Sequence, residues 1–77
     1  MKFYKIRNKQ TGLWSRGGMD PRFDKLGKVW RTAGHVKQHL NQYKTDGYCL
    51  KYHPDYLDSI EVVLFDASVD NGVVVDL

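Results

Sequence analysis

Three histidines and a single cysteine are the residues whose types best suit chemistry in this chain, and their spacing points first to a metal. His35 and His39 stand four apart, so on a helix both imidazoles can face one ion. Cys49 and His53 repeat that interval, and a thiolate with an imidazole would complete a tetrahedral zinc set. Known finger spacings are not reproduced, however, and histidines at a helix edge are ordinarily polar residues bordering a core. The expectation is that no metal or cofactor is bound. Catalysis fares no better. The chain has no glycine-rich phosphate loop, no nucleophile elbow and no paired carboxylates, and Gly17-Gly18 is a turn. His53 with Asp55 and Asp58 resembles a nuclease cluster only superficially, since acidic loop residues are usually just solvated. A chain of 77 residues also has trouble enclosing the roughly 300 Å³ a substrate pocket needs. A non-enzyme is expected.

Two sets of residues suit binding instead. Lys5, Arg7, Lys9, Arg16, Lys28 and Arg31 fall on or beside the expected N-terminal strands, with Tyr4 and Trp14 among them, and Lys37 follows on the helix. Cations interleaved with aromatics suit nucleic acid, because the cations meet phosphates and the rings stack on bases. The plainer alternative is that Tyr4, Trp14 and Trp30 form the core and the cations are solvated, as a small domain needs its large rings inside. The second set is Tyr48, Tyr52 and Tyr56 among Asp46, Asp55 and Asp58. Tyrosine gives wide contact area at low entropic cost, which suits a protein interface. There the alternative is that the rings cap the helix and the sheet edge.

The elements that must position these groups follow from periodicity. Residues 3–7 alternate as a strand, residues 8–12 turn at Gly12, and residues 13–16 return as its hairpin partner. Glycines and Pro21 make residues 17–26 a loop pinned by Phe23, and residues 28–31 read as a third strand. Thr32 suits a helix N-cap. At 100° per residue, Ala33, Val36, Leu40 and Tyr43 share one stripe, with His35 and His39 off one edge and Lys37, Asn41 and Lys44 off the other. Gly47 ends this helix at the latest. Pro54 forbids a continuous helix through the three tyrosines, leaving a short helical turn over residues 54–58. Residues 60–65 are apolar on both faces apart from Glu61, the mark of an internal strand. Asp70-Asn71-Gly72 carries a two-residue turn signal before residues 73–75, which suggests a C-terminal hairpin. The whole reads as one α+β domain spanning residues 1–77: a small, mostly antiparallel sheet with one main helix packed on it.

Composition bounds the rest. An apolar share of 42% and an aromatic share of 13% support a globular fold and argue against disorder. One cysteine allows no internal disulfide and fits a reducing compartment. The first seven residues lack the apolar stretch of a signal peptide, and no run approaches the roughly 18 residues of a membrane span, so no membrane is expected. The net charge of +3 hides an asymmetry. Residues 1–44 hold eleven Lys and Arg against two acids, giving +9, and residues 45–77 hold one Lys against seven acids, giving −6. Such a chain either presents a basic face or neutralises itself half against half. A homodimer through an exposed strand edge is compatible with either.

The run Tyr4-Lys-Ile-Arg7, Thr11-Gly-Leu-Trp-Ser15 with Gly17-Gly18, Gly27-Lys-Val-Trp30 and Lys37-x-His39-Leu40 resembles a group of small uncharacterised tailed-phage proteins. The resemblance covers about the first 44 residues and carries no common activity. It implies origin: a phage accessory or early gene product in the host cytoplasm, a class associated with inhibitors of host or defence proteins. Three strands followed by a helix is also the plan of plant-type AP2 and integrase arm-binding domains, which read DNA with the sheet, although their base-reading motifs are missing here. The expected function is therefore a non-enzymatic binding protein acting on a host or defence protein, with nucleic-acid binding by the basic strands as the alternative.

Overall fold

The alternation in the first eight residues makes them the middle of a sheet. A computed structural model describes residues 2–66 and 69–77, in which β1 (Lys2–Asn8), β2 (Trp14–Ser15), β3 (Phe23–Asp24), β4 (Ile60–Asp66) and β5 (Val69–Val75) form one sheet. The strand order is β3-β2-β1-β4-β5 and every pairing is antiparallel. β1 pairs with β4 along its whole length, from Lys2 opposite Asp66 to Asn8 opposite Ile60. Because side chains alternate across a strand, this register sorts them into two faces. Tyr4, Ile6, Ile60 and Val62 point to the helices, where Ile6 is fully buried. Phe3, Lys5, Arg7 and Glu61 point to the other side.

The expected third strand is displaced. β3 is Phe23–Asp24, inside the stretch read as loop, whereas residues 28–31 make a single bridge: the Trp30 amide donates to the Tyr4 carbonyl at 2.8 Å and the Tyr4 amide to Trp30 at 2.7 Å. β2 is only two residues long, so it leaves the Tyr4 end of β1 open, and Trp30 takes that place while its ring enters the core. Gly27 lets the chain pass there. It has φ +67 and lies so close to Ser15 that a Cβ would sit 2.9 Å from the Ser15 carbonyl oxygen.

One face of the sheet is covered by α1 (Ala33–Thr45), α2 (Gly47–Tyr52) and α3 (Tyr56–Ser59). Thr32 caps α1 as its sequence suggests, its hydroxyl accepting from the His35 amide at 3.2 Å. The buried stripe differs from the expected one. Val36, His39 and Tyr43 are buried, while Ala33 and Leu40 are half-buried. The helix has rolled toward His39 because that imidazole finds a partner inside, which removes the usual cost of burying it. Asp46 then ends α1 and starts α2, its carboxylate accepting from the Tyr48 and Cys49 amides at 2.9 and 3.2 Å. Pro54 falls between α2 and α3, so the tyrosine repeat is divided by a break.

The C-terminal hairpin is present, with its signal misread. Asn71 and Gly72 lie inside β5, where the register with β4 shifts between Leu64 and Asp66. Gly72 is there for close approach: a Cβ would land 2.9 Å from the Phe65 ring. β4 is apolar on both sides, as expected for an internal strand, and Val63 on its far face is only 1% exposed. Among the described residues no helix is long and apolar enough to cross a membrane.

Candidate functional site

The four metal candidates are held apart. His39 is buried with Nε2 at 2.9 Å from the Tyr56 hydroxyl, while His35 is exposed near the start of α1. Cys49 is the fully buried residue of α2, its thiol toward the Met19 carbonyl, and burial pushes that thiol's pKa up. His53 lies 3.3 Å from Asp20. Among the described residues no three His, Cys, Asp or Glu side chains converge as a metal group.

His39 belongs to a polar chain that sequence reasoning did not find. The Gly17 amide donates to the Ser15 hydroxyl at 3.1 Å, that hydroxyl lies 3.1 Å from the Tyr56 hydroxyl, and Tyr56 reaches His39. Burial raises the Tyr56 pKa, so its phenol keeps its proton. Burial, aided by the charge on Lys28, lowers His39 from 6.5 to about 4. One orientation satisfies every member: amide to Ser15, Ser15 to Tyr56, Tyr56 to a neutral His39 Nε2. The rings of Trp30, Tyr43 and Tyr56 surround that imidazole at centroid distances of 5.3, 5.3 and 5.8 Å. The network lies in the core, with His39 also reaching the lining of a surface groove.

A pH dependence follows. The unfolded chain protonates His39 near 6.5 and the native fold resists until about 4, so between those values the unfolded state binds the extra proton. Stability is full above pH 6.5 and falls by about 2–3 kcal/mol as the pH drops toward 4. Urea midpoints at pH 7.5 and 4.5 measure it. His39→Gln, which can still accept from Tyr56, is expected to flatten the slope, and an unchanged slope would assign the effect elsewhere.

The basic residues do not form one patch. Lys5, Arg7, Trp14 and Arg16 share the sheet face away from the helices, where Lys5 Nζ and the Arg7 guanidinium lie 4.7 and 5.4 Å from the Trp14 ring. That ring packs on Phe65 at 5.7 Å, and Phe65 stacks on Phe3 at 5.1 Å. Two of the cations are countered, Arg7 by Glu61 and Arg16 by Asp24. Lys9 donates to the Asp58 carbonyl, and Lys37 is exposed on α1. Lys28 and Arg31 lie on the helix side and line a groove with His35, Gln38 and Asn41. The acidic third thus neutralises part of the basic half through β4 and leaves the rest divided.

The tyrosines divide differently. Tyr56 is 4% exposed, stacked on Tyr43 at 3.9 Å, and belongs to the core. It is therefore no part of an exposed tyrosine surface, contrary to the expectation from sequence. Tyr48 and Tyr52 occupy successive turns of α2, are 44% and 59% exposed, and have ring centroids 5.0 Å apart. They are held in place. Tyr48 donates to Asp20 at 2.7 Å, which lowers the Asp20 pKa, and His53 approaches the same carboxylate. Lys51 Nζ lies 5.3 Å from the Tyr52 ring. The Gly17–Pro21 loop is fastened underneath by Tyr43 donating to the Gly18 carbonyl and Cys49 reaching Met19. Met19 in that loop is exposed, and Asp55 and Asp58 are exposed further along the chain. Asp20 was missed from sequence. Only a contact of 28 residues' separation brings Asp20 to Tyr48, and no local spacing encodes that.

No protein-family model matches this chain, and neither curated proteins nor solved structures give a match.

Proposed function

We propose that this chain is a small non-enzymatic binding protein of phage origin that engages a host or defence protein in the host cytoplasm through the Tyr48–Tyr52 surface of α2. The observation that carries it is the pair of tyrosines standing exposed on one helical face, oriented by Asp20 and Lys51. Rings fixed before binding lose little entropy on docking, which is the property of an interface anchor. The origin and setting rest on the resemblance of residues 4–40.

A bacterial lysate treated with nuclease, passed over immobilised protein, tests the reading. Wild type is expected to retain a protein that Tyr48→Ala/Tyr52→Ala loses, each truncation weakening binding by about 2 kcal/mol, while thermal unfolding stays near wild type because both rings are exposed. Equal capture by the double variant would sink the surface. Loss of the captured protein on nuclease treatment would point to the second reading, nucleic acid. That reading is supported by Lys28 and Arg31, which have no ion pair among the described residues and line one groove.

A further inference from the structure

The two edges of the sheet are treated differently. β3 is two residues long and flanked by Arg22 and Lys25, so it offers little backbone to another strand. β5 is seven residues long and contains no Lys, Arg or Pro, the residues that most often guard an edge, and Asp70 is its one charged residue. Its last part, Gly72 to Val75, carries three consecutive valines, with Val73 and Val74 53% and 55% exposed. Since successive side chains alternate, apolar surface is open on both faces of the same edge. Beside this edge runs a groove whose apolar lining includes Leu40, Leu57, Val62, Val75 and Leu77, with the charged Lys9, Lys44, Glu61 and Asp76 also along it.

We propose that a second copy of this chain covers this edge, β5 pairing antiparallel with β5 about a two-fold axis at Val74. The sequence fits itself in that register. Val74 stands opposite Val74 of the second copy on the open face, and Val73 stands opposite Val75 on the helix face. Asp76 falls opposite Gly72, so no like charges meet across the seam. The second copy's Val73 and Val75 complete the missing wall of the groove, and the two sheets become one of ten strands. A cationic partner strand would answer Asp76 at the end of the run, whereas a copy of this strand matches the three valines that precede it. The tyrosine surface has no part in this pairing.

Light scattering behind gel filtration at 10–200 µM is expected to give a mass approaching twice the 9.0 kDa of the single chain, and Val74→Lys is expected to return it to one copy. Should Val74→Lys misfold, Val74→Cys decides. Opposed residues have Cβ atoms about 4.5–5.5 Å apart, so oxidised glutathione is expected to link two chains through residue 74, while the native Cys49 is buried and silent. Wild type that stays single across the whole range overturns the proposal. So does a dimer that persists in Val74→Lys and fails to link through Cys at residue 74, because its seam is then elsewhere.

Discussion

Tyr56→Ala is expected to remove a large share of the stability of this fold and to lower its unfolding midpoint far below that of wild type. The side chain is buried, stacks on Tyr43, contacts Phe23 at a centroid distance of 6.2 Å, and closes the bond chain from Ser15 to His39. Truncating a large buried ring to alanine costs about 3–5 kcal/mol. Stranding the His39 acceptor and the Ser15 hydroxyl adds about 1–3 kcal/mol. At about 0.05–0.15 kcal/mol per residue, a chain this size has only about 4–12 kcal/mol in all. Tyr56→Phe keeps the ring and isolates the polar share, so its loss is expected near the smaller figure. Tyr52→Ala, on the exposed side of the same tyrosine repeat, is expected within about 0.5 kcal/mol of wild type. Urea unfolding followed by tryptophan fluorescence and circular dichroism ranks the three. A Tyr56→Ala midpoint equal to that of Tyr52→Ala would refute the placement of Tyr56 in the core.

Gly27→Ala is the second large loss, expected to lower the melting temperature by about 10–20 °C, as about 1 kcal/mol corresponds to about 4–8 °C in a domain of this size. Two costs combine. The backbone at φ +67 is a left-handed conformation that costs a residue with a Cβ about 1–2 kcal/mol. The new methyl group also meets Trp14 Cβ and, at 2.9 Å, the Ser15 carbonyl oxygen, which are rigid parts of β2 and cannot move aside cheaply. Gly12 provides the control. Its φ is +74 with nothing within 4 Å of the added carbon, so Gly12→Ala carries only the first cost. Equal melting temperatures for the two variants would show that the contact with β2 contributes nothing.

Much of the fold was legible because its signals are local. Alternation in β1, the Thr32 cap, the break at Pro54 and the two-sided apolar run in β4 each state an element in a few neighbouring residues. The errors arose where a distant contact overruled a local pattern. Residues 28–31 look like a strand, yet the short β2 admits Phe23–Asp24 beside it and spares only the Tyr4 end for Trp30. Asn71-Gly72 looks like a turn, yet its glycine answers to the Phe65 ring across the hairpin. His39 looks like an edge residue until Tyr56 supplies the hydrogen bond that lets it turn inward. The candidate surface was half legible for the same reason. Tyr48 and Tyr52 could be named from composition, but their distinction from Tyr56, and the part played by Asp20, depend on which turns of chain lie beneath them.

The register of the central strand has a consequence for how this polypeptide emerges from a ribosome. β1 is made early and finds its full-length neighbour only in Ile60–Asp66. Until that segment clears the exit tunnel, the nascent helix has half a floor, and Ile6 and Val36 lie without Ile60 and Val62. The floor beneath the helix is therefore complete only once both members of this widely separated strand pair have been made.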